Sequence, residues 1–470
     1  MPSPVDICTG AVFDQRSRRV LVRCPTALQV SRIFLVADQL PTLRTYGHYS
    51  GRNEGTVYGF LHALAGDAPL YRQTGPATSK LFKDLSELRH LRNFHRVILP
   101  ISSAFFIYTF GWGVTSPIFS IYVNNVTGNA FLTGLILSIT TMAGVFLNIP
   151  FGMIEDRMNM KRVLQVVLLA YSVLALLYPQ ANSVLSLLAL SVGRGVASSF
   201  LWLTSWAYIF SYTEKASKGK ETGFFSDMND LASALSPVVG GLVSIVSFFL
   251  PFYILSGTSF AAFAVVTVFL KESPAPVKAS LKLQFAKLSG YMHERRFLKT
   301  VFLIVVFYAL INVYYSFLSV FLNDEGISIP LIGVILTVAL VPAVSLEVPM
   351  GHLVDKRGIR RTLSVAIVLT TISAVLIPLS RNFYYASVVV TAFTVSYTMI
   401  FIALYSRMSD IMQEEKVAMT GAIATFKDLG YTLGPLLAGY LIETLGMARM
   451  FYVVGAGFIV LLPVAVVLRD

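Results

Sequence analysis

Charge is scarce in this sequence. Asp, Glu, Lys and Arg make up 13% of its 470 residues, about half the share of a soluble globular chain. With 55% hydrophobic residues, a soluble fold would leave large apolar patches in water, which excludes a typical cytosolic enzyme and points to a membrane protein. Cysteine is nearly absent: Cys8 and Cys24 are the two, both outside the apolar part, so no disulfide framework or thiolate metal site supports that part. No Gly-x-x-x-x-Gly-Lys-Ser/Thr string occurs, which removes ATP hydrolysis as the driver. No His-Glu-x-x-His or spaced Cys/His set occurs, and no Ser/His/Asp set is apparent. No catalytic residue, metal or cofactor is therefore expected, and the chain does not read as an enzyme. A signal peptide is lacking too, since the first 30 residues hold Asp6, Asp14 and four arginines and no clean apolar run.

The composition changes near residue 96. Residues 1–96 hold 13 Lys and Arg, 11 of them Arg, against 7 Asp and Glu. Short β-like runs occur at Val20–Val22 and Ile33–Val36, and residues 1–79 are expected to be a disordered tail or the product of a start codon placed too early. Residues 80–92 fit a short amphipathic helix, with Leu81, Leu85, Leu88 and Leu91 on one face. From 97 onward, apolar runs long enough to cross a bilayer follow one another. There are twelve: roughly 97–123, 130–154, 162–180, 183–211, 222–249, 251–270, 299–322, 330–353, 362–379, 384–406, 417–443 and 447–468. Backbone polar groups have no water to bond inside lipid, so the runs must be helices.

Twenty Lys and Arg fall in the even-numbered connections and the C-terminal end, against Arg381 and Arg449 in the odd-numbered ones. Positive charge marks the cytoplasmic side, so both termini are expected there, in a plasma-membrane protein. The net charge of +12 belongs to these short connections, and no nucleic-acid partner is expected.

The chain repeats itself at an offset near 199. Leu147-Asn-Ile-Pro-Phe-Gly152 recurs as Leu346-Glu-Val-Pro-Met-Gly351, and Ser236-Pro-Val-Val-Gly-Gly241 as Gly434-Pro-Leu-Leu-Ala-Gly439. The pattern divides the chain into an N-terminal tail (1–96), a six-helix half (97–270), a basic linker (271–298) and a second six-helix half (299–470). Paired halves suit alternating access, in which they rock around a site at the bilayer midplane.

The connection after the second run of each half carries a charged string. Gly152-Met-Ile-Glu-Asp156-Arg157-Met-Asn-Met-Lys161-Arg162 and Gly351-His-Leu-Val-Asp355-Lys356-Arg-Gly358-Ile-Arg360-Arg361 both resemble motif A of the major facilitator superfamily, Gly-x-Leu-Ala-Asp-Arg-x-Gly-Arg-Lys. The first copy departs from it at Asn159 and Met160, the second at Ile359. The resemblance covers about residues 97–470 and implies an all-α membrane protein with twelve transmembrane helices in two pseudo-symmetric halves. It also implies a cytoplasmic gate. Each Asp would face the positive N-terminus of a neighbouring helix: Asp156 that of the eleventh run, at Lys427 and Asp428, and Asp355 that of the fifth, at Asn229 and Asp230. The other reading of these loops is that they fix topology by charge alone. The Pro-Gly strings of the fifth and eleventh runs resemble the antiporter-associated motif C, but small residues every four places also serve ordinary close packing.

Ionisable groups inside the membrane are functional candidates by default. Arg194, in the fourth run, resembles the motif B arginine, which the family ties to proton coupling; its repeat mate is Ala392. Glu347, in the eighth run, has Asn148 as mate and is the candidate proton carrier, or else a fixed partner of the gate. By resemblance the first, fourth, seventh and tenth runs line a central cavity. Their aromatic and amide residues (Tyr108, Trp112, Trp202, Trp206, Tyr308, Asn312, Tyr315 and Tyr397) suit an apolar or cationic organic solute. The expectation is a monomeric, proton-coupled transporter of a small organic solute, with efflux favoured. A solute:proton symporter and a non-transporting sensor or scaffold are the alternatives.

Overall fold

A computed structural model describes residues 11–14, 19–22, 35–36, 94–155, 158–213, 218–272, 293–411 and 416–467. The chain divides into two compact units, Met1–Leu85 and Ser86–Asp470. The first contains a three-stranded antiparallel sheet in the order β1 (Ala11–Asp14), β2 (Arg19–Val22) and β3 (Leu35–Val36), with Ala11 opposite Val22 and Arg19 opposite Val36. The strands β2 and β3 fall on the β-like runs of the sequence. The amphipathic helix expected at 80–92 lies outside the described residues.

The second unit is helical. Its elements are α1 (Leu99–Thr127), α2 (Ala130–Glu155), α3 (Met160–Leu177), α4 (Val184–Tyr212), α5 (Lys218–Val243), α6 (Leu250–Phe269), α7 (Arg295–Asp324), α8 (Ile329–Ser345), α9 (Glu347–Arg357), α10 (Ile359–Leu376), α11 (Phe383–Ile411), α12 (Lys416–Leu445) and α13 (Met447–Val467). Thirteen helices stand where twelve runs were read because the eighth run is broken, with α8 and α9 meeting at 50°. Pro342 and Pro349 flank the break. Each lacks an N–H and crowds the carbonyl four residues before it. The mate helix α2 has Pro150 but Ala143 in the place of Pro342, and it runs unbroken.

Eight of the described helices are each long and apolar enough to cross a membrane, and the bent pair makes a ninth. Each of the twelve expected runs is nevertheless occupied by a helix, the eighth by the bent pair. α5 and α12 carry charge inside their length (Asp227 and Asp230, Lys427 and Asp428).

The two halves repeat each other in packing as well as in sequence. In the first, α1 packs on α5 and α6, α3 on α4 and α6, and α2 on α4; in the second, α7 packs on α12 and α13, α10 on α11 and α13, and α8 on α11. Between halves, α2 packs on α12 and α5 on α8. These crossings are backbone-close. A Cβ at Gly134 would overlap the Pro435 carbonyl oxygen, and one at Gly333 the Pro237 carbonyl oxygen. Gly439 lies on Ala130 and Phe131, and Gly241 on Pro330. Hydrogen bonds join the same surfaces: Val238 N–H to Thr337 Oγ1 at 3.0 Å, Thr432 Oγ1 to Thr141 Oγ1 at 3.2 Å, and Phe131 N–H to Glu443 Oε1 at 3.4 Å. All of these lie at mid-helix or toward the end remote from the basic connections. The halves are joined at that end.

The second half has one continuous apolar core around α7. The first half has two, one around Phe105, Tyr108, Tyr171 and Tyr208 and one around Phe119, Tyr122, Tyr178 and Phe252. Arg194 lies at the level that divides them.

Candidate functional site

Arg194 is on α4, ten residues from its first residue, about 15 Å along the axis at 1.5 Å per residue. It is 5% exposed. Nη2 donates to Thr140 Oγ1 on α2 at 2.9 Å. The guanidinium carbon stands 4.5 Å from the centre of the Trp112 ring, 4.3 Å from Phe119 and 5.9 Å from Tyr178. Trp112 and Phe119 are two turns apart on one face of α1. Nε and Nη1 are buried and make no hydrogen bond among the described residues. No described carboxylate pairs with this arginine. Sequence reasoning found Arg194 and Trp112 but missed Phe119, Thr140 and Tyr178; the seven-residue spacing from Trp112 was the available signal for Phe119.

Glu347 opens α9, directly after the bend, and is half-buried. Asp227 and Asp230 stand one turn apart on α5, in the other half, Asp227 exposed and Asp230 half-buried. Both are electrostatic neighbours of Glu347, and Glu347 and Asp230 are neighbours of Tyr397 on α11. Tyr397 lies 5.8 Å from Tyr315, ring to ring, and the Tyr315 hydroxyl shares a 2.6 Å hydrogen bond with Thr394 Oγ1. The Tyr308 ring lies tilted against Tyr431 of α12 at 5.1 Å, and Asn312 Nδ2 donates to the Tyr308 carbonyl at 3.0 Å. Carboxylates of both halves are thus electrostatic neighbours, two of them also of Tyr397 in the tyrosine-rich part of the second half. Such a group can take up and release protons at the boundary that must move in a rocking cycle.

The remaining expected cavity residues divide. Tyr108 is buried in the first-half core against Tyr171, 4.9 Å ring to ring, so its ring packs that half. Trp206 packs on Phe225 at 5.1 Å. Trp202 is exposed and meets Phe105 edge-on at 5.8 Å.

The charged connections also divide. Asp156 and Arg157 lie outside the described residues, and Gly152 is within α2. Lys161 donates from Nζ to the Leu270 carbonyl at 2.7 Å, where α6 ends. The Tyr208 hydroxyl donates to the Lys271 carbonyl at 3.1 Å and the Tyr212 hydroxyl to the Glu272 carbonyl at 2.7 Å. A cation at a helix C-terminus satisfies orphan carbonyls and opposes the helix dipole. Lys161→Ala is therefore expected to lower the melting temperature, at a cost of roughly 1 kcal/mol, with Lys161→Arg close to wild type; thermal unfolding followed by size exclusion checks it. An equal loss in the Arg variant would show that charge at α6 is not the cause.

In the second copy, Gly358 has φ 81° and ψ 151°, a region open essentially to glycine alone. Its mate Asn159 has φ −74° and caps α3 instead, accepting from Arg162 N–H at 3.4 Å. Gly351, Asp355, Lys356 and Arg360 are all on or beside α9 and α10, with Asp355, Lys356 and Arg360 exposed. The expected approach of Asp355 to Asn229 and Asp230 is not made in this form. α9 packs on α10 and α11, and the Asn229 side chain is engaged by Thr109 on α1, whose hydroxyl donates to Oδ1 at 2.7 Å. On α12, Lys427 reaches its own Tyr431 ring at 5.8 Å, and Asp428 is a neighbour of Tyr405 and Tyr431.

The Pro-Gly strings have a packing role on two faces. Gly240 meets Val114 on α1, and Gly430 and Gly434 meet Val305 to Asn312 on α7, while Gly241 and Gly439 meet the opposite half.

Comparison with known proteins follows the same outline. The family model for the Major Facilitator Superfamily matches residues 101–328 and 300–470. An uncharacterized MFS-type transporter of Methanocaldococcus jannaschii is 24% identical over 358 residues, covering 73% of this chain and 90% of that one. Multidrug resistance protein 2 of Bacillus subtilis is 22% identical over 362 residues, covering 74% and 89%. Among solved structures, a bacterial homolog of the human lysosomal transporter Spinster, in an inward-facing and unoccupied conformation, superposes with a TM-score of 0.67 at 13% identity, covering 80% of this chain and 96% of that one. That likeness shows the fold.

Proposed function

The chain belongs to the major facilitator superfamily and is a multi-pass membrane transporter of small molecules, not an enzyme; from that premise we propose that it exports a small organic solute in exchange for protons, across the plasma membrane, as a monomer with both termini in the cytoplasm. The observation that carries the reading is that α5 of one half packs on α8 of the other, with Asp227 and Asp230 of α5 electrostatic neighbours of Glu347, just past the end of α8. A carboxylate group divided between two moving bodies changes its mutual repulsion when it takes a proton. That is the physical requirement for coupling a proton to rocking. The multidrug resistance relative supports the outward direction. The joined end, remote from the basic connections, is then the outer side, and the form described here faces inward. In the second copy Asp355, Lys356 and Arg360 are exposed in this form, and their proposed task is to close the cytoplasmic side in the other one.

Sealed vesicles with an imposed pH gradient, offered a broad panel of labelled organic solutes, test the function. Solute movement against its own gradient, driven by the proton gradient and lost when that gradient is collapsed, is expected. Movement indifferent to the gradient for every panel member overturns the coupling. A chain starting at Leu91 is expected to insert and transport as the full chain does; loss of either activity or insertion would assign the N-terminal unit a working part.

A further inference from the structure

The first half contains a buried cation that the proton-coupling reading leaves without a partner. Arg194 uses one of its five N–H donors, toward Thr140, and Nε and Nη1 are buried without a hydrogen bond among the described residues. A buried charge without a counter-charge is costly, and more so in a membrane. The rings of Trp112, Phe119 and Tyr178 offset part of that cost from their faces. They supply no acceptor in the plane of the guanidinium, where the unused donors point. The position is also built. It divides the apolar core of the first half into two clusters, with Tyr171 below donating to the Arg194 carbonyl at 3.4 Å and Phe119 and Tyr178 above. The second half has a single core and Ala392 at the mate position.

We propose that this aromatic box is a binding site for an anionic group, the carboxylate of the transported solute, with Arg194 as its anchor, Thr140 accepting from one end of the guanidinium, and Trp112 and Phe119 packed against it. A planar carboxylate matches the donor fork of a guanidinium, and an apolar body attached to it would meet the surrounding rings. The site deepens the transporter reading, although the binding itself does not depend on it.

Trp112 stands beside the guanidinium and supplies the readout. The purified full-length chain in detergent is titrated with cyclohexanecarboxylate, with cyclohexanecarboxamide of the same shape, and with sodium chloride, following tryptophan emission. A saturable change with the carboxylate, absent with the amide and absent in Trp112→Phe, is expected. Arg194→Lys should weaken the apparent affinity about tenfold or more, the loss of at least one hydrogen bond to a charged group, and Arg194→Gln should remove it. Wild type alone decides the matter if those variants fail to fold: no saturable response, or an equal response to the amide, overturns the site. A response to chloride that the carboxylate neither reproduces nor displaces also overturns it, in favour of a resident inorganic ion. Emission changes without any transport in the vesicle panel would sink the transport reading and leave the site standing; transport without emission changes would do the reverse.

Discussion

Glu347→Gln is expected to abolish accumulation driven by a pH gradient while leaving solute exchange down a concentration gradient. The substitution keeps the shape of the side chain at the start of α9 and removes its ionisation. In the wild type, Glu347 is an electrostatic neighbour of both Asp227 and Asp230 on α5, and α5 belongs to the opposite half. Like charges near a protein surface repel by about 4 kcal/mol at about 4 Å with an effective dielectric of about 20, and by less as they separate. Repulsion between Glu347 and the α5 carboxylates, acting between the halves at the level of the bend, opposes their approach at the basic end. Protonation relieves it. Since 1.4 kcal/mol is one decade in a two-state balance, neutralising the carboxylate by mutation should shift the resting population about tenfold or more toward the form closed at the basic end. The paired measurements are proton-driven uptake and counterflow in the same vesicles. If Glu347→Gln retains proton-driven accumulation and Asp230→Asn loses it, the carrier is on α5. If both retain it, the carboxylate group is not the proton route.

The second large effect is expected at the crossings between halves. Gly134→Ala with Gly333→Ala places a methyl where the Pro435 and Pro237 carbonyl oxygens stand. Those atoms are backbone and cannot rotate away. Overpacking costs typically 1–3 kcal/mol per site, so the pair should shift the equilibrium by about tenfold or more away from the form joined at that end. Turnover should fall with it. Thiol labelling of cysteines introduced at the two ends reads the shift, and it is simplified because the chain has only Cys8 and Cys24 of its own, both in the N-terminal unit. More labelling at the end remote from the basic connections and less at the other is expected. Unchanged labelling with normal transport would mean that the crossings stay fixed during the cycle.

The repeat at an offset near 199 made the two halves legible, because close helix crossings need small residues at fixed spacing and such strings survive in sequence. The twelve runs were legible for the same kind of reason: lipid imposes length and apolarity on each helix. The break after Ser345 was not, although both prolines were in view. A proline in a membrane helix is often accommodated, and only the pair spaced about two turns apart removes enough of the ladder to bend it. Lys161 was read as part of a gate because its string resembles one; its use at the end of α6 depends on where α6 stops relative to α3, a tertiary fact. The approach of Asp355 to α5 could not be read as present or absent, since a sequence specifies every conformation of a cycle and the structure is one of them. Arg194 was visible as a charge out of place, while its surroundings come from α1, α2 and the turn after α3, which no local pattern joins.

The surfaces by which α5 and α12 touch the opposite half have a mechanical consequence. Interfaces built from interlocking side chains behave like gears, and to roll one body over the other each tooth must disengage. Here the crossings at Gly134, Gly241, Gly333 and Gly439 are backbone against backbone, with no large side chain of one half inserted into a pocket of the other at those points. They resemble a plain bearing, in which two smooth surfaces stay in contact while their angle changes. Friction in such a joint is low, and a small torque applied elsewhere along the helices is enough to turn it.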